Sequence, residues 1–284
     1  LRLFTQVEYL VKKVNPRVIV ITHEGHAWER ITFAAARKVS PGIRCVGYQH
    51  AAIFKHQHAI RRILAPQYNP DHIFTSGKVP NILLEKSPGL VGISKSILGS
   101  TRYLKEVDKK NSTTKQIVNT CLVIPEGITS ECNRMLEFSL ACAQRLPTIK
   151  FIWRFHPSTS FDKLKKGNNK FLILPNNITL SKNSLEDDIH HSNWVLYRGS
   201  TAVVSAVVGN CRPVYLSNSD EMTIDPLYDL NNSWKVVINK VDDFCQIVDE
   251  KVKDNFGITR DMMISIAYCK QYYVPFDYHP LLRC

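Results

Sequence analysis

Apolar positions along the chain switch between a helical and a strand period. A helix-like opening ends at Asn15-Pro16, and Val18-Ile19-Val20-Ile21 follows as an unbroken β-branched run, the pattern of a strand covered on both faces in a parallel sheet. His26 to Val39 has helical spacing, with Ala34-Ala35-Ala36 suited to close packing, and Pro41-Gly42 stops it before a strand over 43–48. These pieces make a β-α-β unit. A short strand over 71–75 comes next, then a helix through Leu83-Leu84, and the basic, Ser/Thr-rich stretch 105–115 reads as a linker.

A second alternation starts at Gln116. It predicts a strand over 117–124, a helix over 130–145, a strand over 149–155, a strand over 194–197, a helix over 202–208, and strands over 212–216 and 236–238, with helical patterning from Val241 onward. We therefore expect an α/β protein of two Rossmann-like domains, 1–110 and 111–284. At 284 residues the chain is long enough for both cores. It lacks an initiator Met and reaches a strand within its first twenty residues, so we expect earlier strands of the first domain to precede Leu1.

Composition narrows the class. Hydrophobic residues at 44% and charged residues at 22% are globular values and exclude a long disordered arm. No apolar run approaches the ~18–20 residues that span a bilayer, and the start has no signal-peptide pattern. The eight cysteines form no C-x-x-C pair and sit mostly in apolar segments, so we expect free thiols and a cytoplasmic protein. Residues 1–110 carry 18 Lys and Arg against 7 Asp and Glu, whereas 111–284 carry 19 against 18. A generally basic protein would spread its excess over both halves. The lopsided field instead predicts an anionic partner: a nucleotide phosphate, an acidic glycan or glycolipid acceptor, a membrane surface or nucleic acid.

In an open parallel sheet, ligands bind beyond the carboxyl ends of the strands, where helix N-termini present free N–H groups. Five polar clusters occupy such ends here. They are Thr22-His23-Glu24-Gly25-His26, Gly47-Tyr48-Gln49-His50-Ala51, Pro125-Glu126-Gly127, Arg154-Phe155-His156-Pro157 and Arg198-Gly199-Ser200-Thr201. Each alone reads equally well as local structure. Glu126 could open a helix, His156-Pro157 could be a turn, and Ser200-Thr201 could be an N-cap.

The ordered combination Glu126-Gly127, His156-Pro157 and Ser200-Thr201 resembles GT-B glycosyltransferases that use CMP-activated acidic sugars, namely bacterial sialyltransferases and Kdo transferases. The resemblance is strongest over 116–216, and Pro125 stands where that family often has a second acid. It implies two domains facing across a cleft. The acceptor-side half would be 1–110 and the donor-side half 111–284, with His156 on the CMP portion of the donor. Gly199, Ser200 and Thr201 would face the phosphate, joined as donor contacts by Gly127, Pro157, Arg154 and Arg198. Glu126, the favoured one, and Glu24 are the candidate catalytic carboxylates, His156 is a further catalytic candidate, and His23, His26 and His50 would position the acceptor or sugar.

The donor would be a CMP-sugar of the Kdo or sialic acid type, and the acceptor a surface glycan or glycolipid. Peripheral association with the inner membrane face would suit the basic half. Transfer would be metal-independent, since no Asp-x-Asp stands at a strand end, and no cofactor beyond the donor is expected. Two enzymes of similar architecture are rivals, a CDP-glycerol glycerophosphotransferase and a sugar-nucleotide 2-epimerase. A basic nucleic-acid-binding module is the rival from another class, but the positive charges are scattered through the β-α-β elements and no nucleic-acid motif is present. His56-Gln57-His58 reads as a polar loop, and Trp28, Trp153 and Trp194 read as core.

Overall fold

The computed structural model describes residues 2–103, 119–253 and 259–283. The linker expected over 105–115 and the first residues of the strand expected over 117–124 lie outside these. The chain divides into two compact units, one formed by Leu1–Lys105 with Lys270–Cys284 and the other by Glu106–Cys269.

The first unit holds four parallel strands, β1 (Val18–Thr22), β2 (Arg44–Gln49), β3 (His72–Thr75) and β4 (Ser94–Ile97), in that spatial order. Helices α1 (Arg2–Val14) and α2 (Ala27–Val39) cover one face, where Val7, Val11, Phe33, Ala35, Ala36, Ile43 and Cys45 pack with Ile19 and Ile21. On the opposite face Val46, Phe74 and Leu98 pack with Val18, Tyr48 and Leu281. Helix α3 (Lys78–Glu85) joins β3 to β4. The run at 18–21 was expected to be covered on both faces, but β1 is an edge strand and Val20 is 46% exposed. Its β-branched residues suit an extended edge as well as a centre, so composition alone does not separate the two. Trp28 likewise departs from its expected place in the core and is largely exposed on α2, whereas Trp153 and Trp194 are fully buried.

The second unit holds six parallel strands among its described residues. These are β5 (Thr120–Val123), β6 (Lys150–Trp153), β7 (Ile178–Leu180), β8 (Trp194–Tyr197), β9 (Arg212–Leu216) and β10 (Val236–Ile238), in the order β10-β9-β8-β5-β6-β7. Every residue of β5 and β8 is buried, as a central strand with helices on both faces requires. The helices are α4 (Thr129–Arg145), α5 (Phe161–Gly167), α6 (Leu185–His190), α7 (Ala202–Val208), α8 (Val241–Lys253) and α9 (Arg260–Lys270). Cys45, Cys121, Cys132, Cys142, Cys211 and Cys269 are buried free thiols, and Cys245 is half-buried.

After α9 the chain returns to the first unit, although the sequence pattern grouped all of 111–284 together. Backbone bonds hold the return: Val79 N–H donates to Gln271 O (3.1 Å), Val274 N–H to Ser76 O (3.1 Å) and Ser100 N–H to Val274 O (2.8 Å). Two glycines make room for it. A Cβ at Gly77 would lie 2.4 Å from Tyr272 O, and one at Gly99, whose φ is +86°, would lie 2.0 Å from Pro275 O. Gly99→Ala must therefore strain the backbone and push the returning segment away. We expect a loss of about 2–4 kcal/mol in urea unfolding, with faster proteolysis near residue 275.

His23, just beyond β1, is sealed inside the unit and reaches no surface, so it cannot position a substrate directly. Its ring packs against Phe33 and its Cβ faces Gly47, where a Cβ would be only 2.7 Å away. Burial, aided by Arg30 and His26, pulls its pKa down to about 3. The imidazole is thus neutral at physiological pH, and the 3.5 Å approach of Nδ1 to Glu29 Oε2 is not an ion pair. The unfolded chain binds a proton here below about pH 6.5, while the folded chain refuses it until about pH 3. Stability is therefore full above the unfolded value and falls with acidification. The expected slope is roughly 1.4 kcal/mol per pH unit between those limits. Urea unfolding of the wild type and His23→Gln across this range checks it, the variant giving the flatter profile.

Candidate functional site

Strand order in the second unit reverses between β5 and β8. β6 and β7 lie on one side of β5, while β8, β9 and β10 extend the other way. The loops leaving β5 and β8 consequently run to opposite faces and open a crevice at the carboxyl edge. Three of the five clusters read from sequence lie at this point. Gly199, after β8, donates its N–H to Glu126 Oε1, after β5, at 3.2 Å. A Cβ at Gly199 would fall 2.3 Å from Glu126 Oε2, so a side chain there would push the carboxylate from its present place.

The loop after β6 closes on the same place. A Cβ at Gly127 would lie 2.7 Å from Ser158 Oγ and 2.9 Å from His156 Nδ1, and Thr159 Oγ1 donates to Gly127 O at 3.5 Å. Glu126, Gly127, His156 and Gly199 therefore meet, with Ser200 and Thr201 next along the chain and both half-buried. Nδ1 of His156 accepts from Ser158 N–H at 3.2 Å and lies 2.7 Å from Ser158 Oγ. In the neutral ring this places the proton on Nε2, ready to donate from an exposed side chain. Gly127 and Thr129 are exposed beside it, so the first turn of the seventeen-residue α4 presents open backbone amides nearby.

Burial raises the Glu126 carboxyl above its ordinary range, and Glu131 adds to the effect. The Gly199 N–H and Arg198 oppose it. Arg198 is buried, and its guanidinium is committed to Glu131 Oε2 (2.6 Å), Leu216 O (3.0 Å) and Glu221 Oε2 (2.9 Å). Arg154 turns sideways to Asp188 Oδ2 (2.9 Å) and Asn183 O (2.8 Å). The two arginines proposed as donor contacts thus brace the loops around the crevice. Sequence reasoning missed Ser158, Glu131, Glu221 and Asp188. Ser158 was findable, since a Ser two residues past a turn His is placed to bond it. The acidic partners were not, because Glu131 and Arg198 are 67 positions apart.

In the first unit, Glu24, His26 and His50 gather beyond β1 and β2. His26 Nε2 is 3.4 Å from Glu24 Oε2, and His50 Nε2 is 3.8 Å from Glu24 Oε1. The buried Glu29 carboxylate fixes the loop by accepting from Glu24 N–H (2.9 Å) and His26 N–H (2.8 Å). Gly25 has φ +84°, and a Cβ there would strike Ala59 C at 2.1 Å. A carboxylate between two imidazoles can take a proton from a hydroxyl and pass it on. Among the described residues, no group of three or more His, Cys, Asp or Glu is placed to hold a metal ion. No described helix is long and apolar enough to cross a membrane.

No protein-family model matches the sequence, and no curated protein matches it significantly. Solved structures do match the fold. A co-structure of MnaA from S. aureus with UDP has a TM-score of 0.60 at 12% identity, covering 96% of this chain and 76% of that one. The glycosyltransferase SnogD from Streptomyces nogalater gives 0.61 at 11%, covering 99% and 75%. The UDP-GlcNAc 2-epimerase of Methanocaldococcus jannaschii, in complex with UDP-GlcNAc and UDP, gives 0.55 at 13%, covering 93% and 78%. The fold is thus the pair of parallel-sheet α/β units of GT-B proteins, as the alternation of elements leads one to expect.

Proposed function

We propose that this chain is a metal-independent glycosyltransferase that takes its sugar from a nucleotide-activated donor held by the second unit. The observation that carries this reading is the meeting of Glu126, Gly127, His156 and Gly199 where strand order reverses. As the glycosidic bond breaks, negative charge grows on the departing phosphate and the sugar becomes oxocarbenium-like. His156 Nε2–H, the Ser200 and Thr201 hydroxyls and the backbone amides near Gly127 are the donors offered to that charge.

Glu126 spends one oxygen on the Gly199 N–H, so we assign it to holding the β8 turn in place. As candidate base for the acceptor hydroxyl we propose Glu24, which has His26 and His50 beside it within the first unit. By the order of its motifs the donor is a CMP-sugar of the acidic type, and the basic first half suits an anionic glycan or glycolipid as acceptor. A second reading, a sugar-nucleotide 2-epimerase, is favoured by the similarity to structures containing UDP or UDP-GlcNAc.

Calorimetric titration with CMP, CDP and UDP tests the donor assignment. CMP should bind at least tenfold more tightly than UDP, and His156→Ala should weaken it by about tenfold, the worth of one charge-assisted hydrogen bond. Preference for UDP, with UDP-GlcNAc hydrolysed in the absence of acceptor, would move the assignment to the epimerase. Failure of all three nucleotides would remove the enzyme reading.

The carboxylate roles separate by variant. Glu126→Gln keeps an oxygen for the Gly199 N–H and should leave CMP affinity within about twofold, whereas Glu126→Ala and Gly199→Ala should each weaken it by about tenfold. Glu24→Gln should lower kcat by ~10²–10⁴ with nucleotide affinity unchanged. A collapse of kcat in Glu126→Gln at full affinity would return proton transfer to Glu126.

A further inference from the structure

The loop joining β2 to β3 is held from beneath by side chains of α2. Arg30 and Asn69, both buried, supply the centre: Arg30 donates to Ala59 O (3.0 Å), Arg62 O (3.0 Å) and Asn69 Oδ1 (2.9 Å). Asn69 in turn accepts from Leu64 N–H (2.8 Å) and donates to Leu64 O (2.7 Å). Arg37 donates to Gln67 O (2.9 Å), to Asn69 O (2.7 Å) and to Asp71. These bonds fix the backbone and leave the side chains of the loop facing outward. Arg62, Ile63, Leu64, Ala65, Pro66 and Gln67 form an unbroken exposed run, with Ile63 52% exposed.

A second aliphatic tip lies alongside. A Cβ at Gly89 would fall 2.5 Å from Arg61 O and 3.1 Å from Arg62 Cα, so the turn over 88–91 abuts the loop, and Val91 at its end is 78% exposed. Lys95 Nζ pins this turn by donating to Leu90 O (3.0 Å) and Ile93 O (2.8 Å). Lys55, His56, His58, Arg62 and Lys86 are exposed on the same two segments, whose carboxylates are Asp71, paired with Arg37 at 2.7 Å, and Glu85, which accepts from Asn81 at 2.6 Å.

We propose that this stapled loop, with Ile63, Leu64 and Val91 at its tip and Lys55 and Arg62 around it, docks the first unit on an anionic lipid surface. A few aliphatic side chains on a rigid loop, rimmed by cations in excess of carboxylates, match the boundary between acidic headgroups and hydrocarbon. A second copy of the chain is the poorer occupant. A stable dimer needs about 800 Å² from each partner, more than three aliphatic tips supply, and the cations of two copies would face each other. This goes beyond the nucleotide reading and needs no nucleotide, so either can fail alone.

The test is co-sedimentation of the full chain with phosphatidylcholine vesicles, with and without phosphatidylglycerol. Three variants accompany the wild type: Ile63→Ser/Leu64→Ser, Lys55→Gln/Arg62→Gln, and Lys12→Gln/Lys13→Gln, which removes the same charge from α1. Unchanged thermal melts establish that each variant is folded. Binding should require phosphatidylglycerol, and the first two variants should weaken it by tenfold or more while the third changes it less than twofold. Three results would overturn the proposal: no binding, equal loss in the α1 variant, which would mean diffuse attraction, or binding indifferent to Ile63 and Leu64. A concentration-dependent dimer in sedimentation equilibrium, abolished by Ile63→Ser/Leu64→Ser, would give the surface to a second copy instead.

Discussion

The hydrogen bond from Gly199 N–H to Glu126 ties together the two strands between which the second sheet reverses its order. Parallel strands must all deliver their loops to one edge, and at a reversal the flanking loops part to opposite faces. β5 and β8 pair directly, out to Ile124 N–H on Leu196 O at 3.1 Å, and the loops beyond that point are joined by a side chain. Glu126 supplies that tie from β5, Gly199 receives it on β8, and the absence of a side chain at Gly199 lets the carboxylate come within reach. His156 is then fixed against Gly127 by Ser158, so the contents of the crevice follow from one contact and two glycines.

A second layer of charge holds this arrangement. Arg198 lies immediately before Gly199 but points into the protein, where Glu131 at the start of α4 and Glu221 beyond β9 take up its guanidinium. Arg134 reaches Glu221 from the outside at 2.7 Å. The network joins the loop after β8 to the first turn of α4, the two segments that frame the crevice. A buried guanidinium with three acceptors is costly to disrupt, because any partner removed leaves a charge stranded away from water. Rigid placement of the amides and hydroxyls is what the proposed role would require, since donors fixed in advance need no reorganisation when a bond breaks.

Much of this was legible from the residues, for identifiable reasons. β8, β9, β10 and α7 fall where their apolar runs put them, since each run is bounded by Gly, Asn or a polar turn. The edge strand β4, Ser94-Lys95-Ser96-Ile97, carries no alternation and was invisible. It owes its place to pairing with β3 rather than to burial. The return of the C-terminal segment was hidden for another reason. It depends on backbone bonds and on the emptiness beside Gly77 and Gly99, which leave no apolar signature. In the crevice the residue types were readable but side-chain direction was not. Arg154 and Arg198 were plausible ligand contacts until Asp188 and Glu131 could be seen taking them.

The uneven charge of the two halves also has a structural origin. In the second unit the cations meet carboxylates: Arg134 with Glu221, Arg154 with Asp188, Arg198 with Glu131 and Lys235 with Asp225. In the first unit several serve instead as staples on carbonyl oxygens, as Arg30 does at Ala59 and Arg62, Arg61 at Phe54 and Lys55, and Lys95 at Leu90 and Ile93. A carbonyl satisfies the hydrogen bonds of a guanidinium or ammonium without cancelling its charge. Loops built this way are rigid and remain positive, and Arg30 has its pKa lowered by its own burial and by neighbouring Arg62. The same choice of acceptor therefore fixes the loop after β2 and leaves its positive charge uncompensated, so order and a positive excess coexist in the first half.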